Sequence, residues 1–255
     1  MKLIIPIILF IFVLIFSCKK KEESPPPVIT TTGATTGATA GTTTGGGPGV
    51  TFNSVCSNQK TYGIIGASTF SITVAQNSAL FTSASINNFS TPVPPYLNAG
   101  NISLNAKVFK NILFSYTDTT NSSLVAPFVW IGTGSVIPAF TVTNSNSYAT
   151  YADYIYWPDT ISKSTGFNVS LSGAHYADEI QVLISKSGSP PAATYTALVS
   201  AGNVSISNSA FTTLLTSTTA VIQCNFYKNN IQTAGTNQIN FRNVTTFIKT
   251  VPVKN

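Results

Sequence analysis

From residue 50 onward, the chain alternates apolar and polar positions with the period of two that is typical of half-buried β-strands. Val, Ile, Thr, Phe and Tyr alternate with Ser, Thr and Asn, and Gly, Pro or Asn interrupts each run. Representative runs are residues 69–75, 101–107, 109–117, 167–171, 179–185 and 219–227. No run keeps a helical period for three turns. The pattern therefore predicts an all-β fold of many short strands.

Residues 50–255 are about twice as many as the roughly 100 of one Ig-like sandwich. We therefore predict two tandem Ig-like β-sandwich domains, residues 50–157 and 158–255, and a single larger sandwich is the alternative. The boundary is placed here because Pro158 interrupts strand pairing and Ile161 restarts an alternating pattern.

Residues 18–49 have a different composition. Pro25, Pro26 and Pro27 lead into a tract of Thr, Gly and Ala at 30–49, in which TTGA occurs twice in succession. Such a segment buries too little apolar surface to offset the entropy of ordering it, so we predict a disordered Thr/Gly-rich linker.

The first residues have the order of a secretory signal peptide: Lys2, an apolar run at 3–16, and the small residue Ser17. The run is shorter than the roughly 20 residues of a transmembrane helix. Ile15-Phe16-Ser17-Cys18 resembles the lipobox of bacterial lipoproteins. The resemblance implies a signal peptide at 1–17 and a lipid on Cys18 that binds the outer membrane. An uncleaved anchor helix and an unmodified cysteine are the alternatives.

The segment Lys21-Glu22-Glu23 follows the cysteine closely. It resembles the short lysine-plus-acidic export signal of some Gram-negative lipoproteins, which implies display on the cell surface. A solvated tether on the periplasmic face is the alternative.

Three later segments carry a broader resemblance: residues 96–105, 130–140 and 161–171, the last followed by 177–182. They resemble a group of uncharacterised secreted β-sandwich lipoproteins of Gram-negative bacteria. The likeness covers most of residues 60–250 and consists of strand and turn patterns. It implies a fold and a location, and no activity.

Charge is sparse, because Asp, Glu, Lys and Arg make up 8% of the chain and the net charge is +6. The basic residues of the folded region are scattered, whereas nucleic-acid-binding proteins cluster them on one face. Together with export, this predicts no nucleic-acid partner.

Few residues could carry catalysis. The single histidine, His175, lies in a predicted turn, and the chain has no G-x-S-x-G motif. His and Cys are too few for a zinc site with three protein ligands. Asp153, Asp159 or Asp178 could supply the carboxylate pair of a glycoside hydrolase, but turn and loop positions explain them better. We therefore predict no catalytic residues, no metal and no cofactor.

The other two cysteines are Cys56 and Cys224, near the two ends of the folded region. In an oxidising compartment they could form a disulfide that joins these ends. Two buried thiols are the alternative.

Aromatic residues concentrate in one short stretch. Tyr151, Tyr154, Tyr156 and Trp157 could present flat faces to a sugar, since such rings combine apolar faces with polar edges. The alternative is that Tyr154 and Tyr156 share one strand face in the core while Trp157 packs at the domain junction.

Two short segments, Asp118-Thr119-Thr120 and Asp159-Thr160-Ile161, resemble the sequon of a periplasmic O-glycosylation system. The resemblance implies Thr119 and Thr160 as acceptors.

These observations predict a membrane-anchored lipoprotein that acts as a structural or adhesive binding module for a surface glycan or protein. A dedicated glycan-binding module and a glycoside hydrolase are the alternatives.

Overall fold

The structure is a computed structural model that describes residues 51–65, 68–72, 77–89, 94–118, 124–186, 188–189, 191–212, 214 and 219–254. The predicted signal peptide, Cys18, the linker and Thr119 lie outside these residues. The described residues form β-strands and three short 3₁₀ helices, and no α-helix, which confirms the all-β class.

The strands are β1 (Thr51–Ile65), β2 (Ser68–Ile72), β3 (Asn77–Asn87), β4 (Ile102–Leu104), β5 (Lys107–Val108), β6 (Lys110–Ile112), β7 (Ser115–Thr117), β8 (Phe128–Gly132), β9 (Phe140–Asn144), β10 (Thr150–Tyr151), β11 (Ile161–Ser162), β12 (Phe167–Ser170), β13 (Ala174–His175), β14 (Glu179–Lys186), β15 (Pro191–Leu198), β16 (Asn203–Ile206), β17 (Thr219–Lys228), β18 (Ile231–Ala234) and β19 (Asn237–Lys254). The 3₁₀ helices are η1 (Asp153–Tyr156), η2 (Val199–Ala201) and η3 (Asn208–Phe211).

Eleven strands form the main sheet, in which eight follow the order β15-β14-β17-β19-β1-β3-β7-β6 and β2, β11 and β18 pair beside them. At its centre β1 runs parallel to β19, from the pair Ser54 and Ile239 to the pair Ile64 and Lys249. The main sheet thus contains strands from both sides of residue 157. The division into two Ig-like sandwiches stays a prediction.

Two buried clusters lie on one face of the main sheet. The aromatic members of the first core cluster are Phe81, Phe109, Tyr116, Phe128, Trp130 and Phe241. Those of the second core cluster are Tyr151, Trp157, Tyr195, Phe211, Phe226 and Phe247. Because side chains alternate along a strand, Phe241 and Phe247 project from the same face of β19. This strand therefore contributes to both cores.

A set of buried asparagines lies along β1 and β19 between these positions. Asn58 is paired in register with Asn243, and its Nδ2 donates to Asn243 Oδ1 at 3.0 Å. Asn243 Nδ2 donates to the carbonyl oxygen of Asn146 at 2.6 Å, and Asn144 Nδ2 donates to that of Phe241 at 2.7 Å. Asn58, Asn144 and Asn243 are fully buried. We call these three residues the asparagine seam.

The β6–β7 hairpin turns at Leu113 and Phe114, whose φ angles are +50° and +64°. Both positive angles define the type I′ geometry that Asn-Gly satisfies without strain, whereas each bulky residue there costs about 1–2 kcal/mol. Leu113 is 86% exposed, so its burial offsets little of this cost. The turn is therefore strained by its own sequence.

We expect the double substitution Leu113→Asn and Phe114→Gly to raise the free energy of unfolding by about 1 kcal/mol. Relief of strain at both positions exceeds the loss of the half-exposed Phe114 side chain and the extra freedom that glycine gives the unfolded chain. Chemical denaturation measures the change. Ala106→Gly, at the equivalent position of the β4–β5 turn with φ of +64°, is the matched control and should also stabilise. Destabilisation by both substitutions would contradict the strain argument.

Candidate functional site

The face of the main sheet opposite these two core clusters carries a third, small apolar cluster of Phe52, Val55 and Ile86, and beside it a polar region. This region carries an open groove with a volume of about 210 Å³ at the centre of the sheet. We call this the outer groove, and it is lined by Ser57, Gln59, Ser78, Gln223, Asn225, Tyr227, Arg242 and Val244. These residues come from β1, β3, β17 and β19, the four adjacent strands that meet at the middle of the sheet.

Hydrogen bonds connect the amide side chains of this face across neighbouring strands. Gln223 Nε2 donates to Asn225 Oδ1 at 3.0 Å, and Asn225 Nδ2 donates to Gln181 Oε1 at 3.1 Å. On the other side, Thr246 Oγ1 donates to Asn225 Oδ1 at 2.9 Å and itself accepts from Gln59 Nε2 at 3.1 Å. We call these five residues the amide ladder. Their mutual bonds hold the side chains in fixed orientations before any ligand arrives.

Arg242 supplies the positive charge of the groove. Its Nε donates to Ser57 Oγ at 3.3 Å, and its Nη1 donates to Asn88 Oδ1 at 2.8 Å. The guanidinium carbon lies 5.2 Å from the centroid of the Tyr227 ring, which is within the range of a cation–π contact. Burial lowers the pKa of Arg242, and the neighbouring Tyr227 and Glu179 partly oppose this. Two hydrogen bonds and the ring contact therefore fix the guanidinium, and the residue is half-buried.

A buried network supports Arg242 from behind. Asn88 accepts the bond from Arg242 on Oδ1, while its Nδ2 donates to Glu179 Oε2 at 2.7 Å and to Asn229 Oδ1 at 2.8 Å. Asn240 Nδ2 also donates to Asn229 Oδ1, at 2.7 Å. Asn88, Glu179 and Asn240 are buried. The orientation of the guanidinium is therefore set by residues that a ligand cannot reach.

The four aromatic residues predicted as a sugar platform do not form a common exposed surface. Tyr151 and Trp157 are buried in the second core cluster, where Trp157 Nε1 donates to Tyr151 Oη at 3.0 Å. Tyr154 is half-buried and stacks on Phe247, with ring centroids 6.0 Å apart. Tyr156 alone among the four is exposed, at 74%. The core-packing alternative is wrong for Tyr154 and Tyr156, because both lie in η1 and not on a strand, and Tyr156 is exposed.

The acidic residues considered for hydrolysis have structural contacts. Asp159 and Asp178 form ion pairs with Lys249 and Lys228, at 2.7 and 2.8 Å. Asp153 accepts hydrogen bonds from Ser170 Oγ, Ser172 Oγ and the Gly173 N–H, at 2.6, 2.8 and 2.9 Å.

Partial burial alone would raise the pKa of Asp153. The three hydrogen bonds and the nearby His175 outweigh this effect and lower the pKa. His175 is exposed on β13. In the part of the chain that the structure describes, no three His, Cys, Asp or Glu residues are grouped to hold a metal ion.

The predicted disulfide does not form, and this is a correction. Cys56 and Cys224 are both free and fully buried, in the first and second core clusters respectively. On β19, Cys56 is aligned with Phe241 and Cys224 with Phe247. Six residues of strand separate these positions by about 20 Å, whereas bridged Cα atoms lie within about 7 Å. Burial raises the pKa of both thiols.

Of the two predicted glycosylation acceptors, Thr160 is described by the structure. It is half-buried in the bend that follows η1, next to Asp159. Its modification stays a prediction.

Sequence reasoning missed the outer groove, although part of its signal is visible. Within β17, the polar or polar-tipped residues Gln223, Asn225 and Tyr227 alternate with Ile222, Cys224 and Phe226, although Asn225 and Tyr227 are also buried. This alternation indicates a polar face. What joins the polar faces of different strands is the pairing of β1 with β19, between residues far apart in sequence.

Comparison with family models and with curated proteins gives no match for this chain, so the outer groove is interpreted from its own geometry. The described residues contain no helix that is long and apolar enough to cross a membrane.

Proposed function

We propose that this protein is a lipoprotein of the outer membrane, anchored through a lipid on Cys18, whose β fold is an adhesive or structural binding module. The outer groove is the observation that carries the binding function. Its hydrogen-bonding side chains are ordered by the amide ladder, and its cation is oriented by a buried network. A preorganised polar groove of this kind loses little entropy when it binds a ligand. A surface glycan or a protein is the class of ligand that such a module meets.

The linker between residues 18 and 49 would hold the module away from the membrane. As a flexible Gly-rich coil of this length it has an r.m.s. extension of roughly 30 Å. Lys21-Glu22-Glu23 favours the cell surface over the periplasmic face.

We also propose that the folded region consists of two Ig-like sandwich units. Two separate core clusters, with the asparagine seam between them, support this division. In this arrangement the units share β1 and β19, because Phe241 belongs to the first core cluster and Phe247 to the second.

Replacing the lipidated cysteine tests the anchor. We expect the full-length protein, expressed in a Gram-negative host, to incorporate radiolabelled palmitate, and Cys18→Ala to incorporate none. Cys56→Ala removes a cysteine without removing the lipid, so it should be labelled as the wild type is. Equal labelling of Cys18→Ala and wild type would contradict the lipid anchor. Protease treatment of intact cells then decides the face: cleavage places the domain outside, and protection places it in the periplasm.

A further inference from the structure

We propose that the tip of the β6–β7 hairpin inserts into the surface of a lipid bilayer, with Leu113 and Phe114 among the acyl chains and Lys110 at the anionic headgroups. The tip gives the protein a second membrane contact besides the lipid on Cys18, and the orientation that we infer rests on that proposed anchor. The exposure, backbone conformation, position and charge of the tip each support this contact.

The hairpin tip exposes three consecutive large apolar side chains. Ile112, Leu113 and Phe114 are 51%, 86% and 38% exposed. Exposed apolar residues elsewhere, such as Ile65 and Val125, stand singly, as is usual on protein surfaces. Within the described residues no second run of three is exposed. Because β6 is the last strand of the main sheet, these side chains lie at its edge and are accessible to an apolar environment outside the fold.

The rest of the hairpin holds the tip in a conformation that its own residues disfavour. The positive φ angles of Leu113 and Phe114 suit Gly or Asn better. Asn111 Oδ1 nevertheless accepts a hydrogen bond from the Phe114 N–H at 2.9 Å, and Tyr116 anchors β7 in the first core cluster. Strain of this kind concentrates at functional sites. Two bulky residues in this turn therefore indicate a use for their side chains.

The tip lies at the end of the main sheet where the chain enters it. Ile112 pairs in register with Ser115 on β7. Through Leu80 on β3, Ser115 is level with Val55 on β1. Beyond Ile112 the hairpin turns on the side toward which β1 runs back to Thr51, its first residue. The linker joins β1 there, so the end of the sheet that carries the tip is also the end that the lipid would tether.

The linker allows this end to reach the bilayer. A flexible coil with an r.m.s. extension of roughly 30 Å sets an average separation and also permits direct contact. Because the anchor already holds the domain near the bilayer, insertion of the tip is an intramolecular step with an effective concentration in the roughly millimolar range. A tip with few apolar side chains, which alone would bind a membrane weakly, is then sufficient.

Lys110 gives the hairpin a charge that is complementary to anionic lipids. It is exposed and precedes Ile112 by two residues, which is about 7 Å along a strand. Interfacial segments bury their apolar side chains about 5–10 Å deep, so the Lys110 ammonium lies at the level of the headgroups. The nearest acidic residue in sequence, Asp118, pairs with Lys107 at 2.8 Å and its side chain is 1% exposed. The hairpin thus presents no carboxylate to the lipid phosphates.

The test places a nitrobenzoxadiazole label at Ile112→Cys in the full-length lipidated protein, which leaves Leu113 and Phe114 intact. The protein is reconstituted into vesicles of phosphatidylethanolamine and phosphatidylglycerol, with or without phospholipids that carry a doxyl quencher on the acyl chain. Cys56 and Cys224 are fully buried, and the protein without an introduced cysteine gives the labelling background. We expect a blue-shifted emission that loses roughly half of its intensity in the doxyl vesicles, because the label lies at the depth of interfacial segments.

Three variants control this measurement. Ile65→Cys labels an exposed apolar position at the other end of β1, and its emission should be that of a label in water. Leu113→Asn with Phe114→Gly, in the Ile112→Cys background, should abolish the blue shift and the quenching. Because this double substitution is expected to stabilise the fold, unfolding does not explain such a loss. Lys110→Gln should reduce the quenching in vesicles that contain phosphatidylglycerol, since it removes an attraction to anionic headgroups.

A label at position 112 that stays in water would overturn the inference, whatever the palmitate result for Cys18. A blue shift without doxyl quenching would also overturn it, since another protein surface, such as a second copy of the chain, would then cover the tip. Equal quenching at positions 65 and 112 would contradict the inferred orientation. Palmitate labelling with a water-exposed label at 112 would refute this inference alone, and a quenched label at 112 without palmitate labelling would refute the anchor alone.

Discussion

Phe241→Ala and Phe247→Ala are each expected to lower the free energy of unfolding by about 4 kcal/mol, and both should shift a single cooperative transition. Truncating a buried Phe to Ala removes the apolar contacts of the ring and leaves a cavity. Phe241 is fully buried against Trp130 and Phe140, with ring centroids at 6.3 and 5.5 Å. This cost is a large fraction of the stability of a typical domain.

Phe247 occupies the corresponding place in the second core cluster. Its ring centroid lies 5.2 Å from that of Tyr62, 5.5 Å from that of Tyr151 and 5.9 Å from that of Phe226. Three strands and the 3₁₀ helix η1 thus pack on one side chain of β19, since the ring of Tyr154 lies 6.0 Å away. Loss of this ring removes contacts that the neighbouring elements cannot restore by small shifts.

We expect a single unfolding transition because one strand of the main sheet, β19, connects the two core clusters. β19 is hydrogen-bonded to β17 on one side and to β1 on the other along most of its length. A segment that contributes Phe241 to one core and Phe247 to the other cannot leave one cluster without disturbing the second. The two clusters are therefore coupled through a single strand.

The two tryptophans of the chain allow this to be measured. Trp130 lies in the first core cluster and Trp157 in the second, so fluorescence in the Trp157→Phe and Trp130→Phe backgrounds reports on each cluster separately. Coincident denaturation curves in both backgrounds are expected. Thr250→Ala, at an exposed position of β19, is the control and should change stability by less than about 0.5 kcal/mol. A shift of the Trp157 signal alone in Phe247→Ala would show that the two halves unfold independently.

The sequence predicts a strand correctly where apolar and polar residues alternate within that strand. The alternation at 179–185 and 219–227 corresponds to β14 and β17, because these strands have one face on the core and one face toward solvent. The alternation at 109–117 predicts one strand, but this segment contains the β6–β7 hairpin. Its turn residues, Leu113 and Phe114, lack the Gly or Asn that usually marks a positive φ.

The candidate site was less predictable, because it depends on contacts between distant parts of the chain. Ser57 and Arg242 are neighbours since β1 and β19 pair in parallel, and nothing local to either strand specifies that pairing. Conversely, the density of aromatic residues at 151–157 predicts a sugar-binding surface that the structure does not contain. Composition does not distinguish Tyr151, whose hydroxyl donates to a carbonyl inside the fold, from Tyr156, which is exposed.

Asn243→Asp is expected to destabilise the protein by about 4 kcal/mol at pH 7, and this penalty should shrink as the pH falls. Asn243 Nδ2 donates to the carbonyl oxygens of Asn146 and Ser147, at 2.6 and 3.4 Å, in a fully buried position. Aspartate places a carboxylate oxygen against these carbonyl oxygens. Burial and this repulsion raise the pKa of the new carboxyl by about three units, and each unit corresponds to 1.36 kcal/mol.

The direction of the pH dependence follows from that raised pKa. The folded variant binds a proton more tightly than the unfolded chain, in which aspartate has a pKa of about 3.9. The penalty relative to wild type is therefore smallest below that value. It grows as the pH rises and is complete above the folded pKa. A protonated carboxyl can also donate to the Asn146 carbonyl, which restores one of the lost bonds.

The measurement is the difference in unfolding free energy between Asn243→Asp and wild type at pH 4 and pH 7, so that the pH dependence of the wild type cancels. We expect the difference to be smaller at pH 4 by at least about 2 kcal/mol, which is half of the penalty at pH 7. Asn101→Asp introduces the same charge at an exposed position, so its unfolding free energy should differ from that of the wild type by nearly zero at both pH 4 and pH 7. A pH-independent penalty for Asn243→Asp would mean that the new carboxylate reaches solvent. The asparagine seam would then be open to water and could not be the dry junction that holds the two core clusters on one sheet.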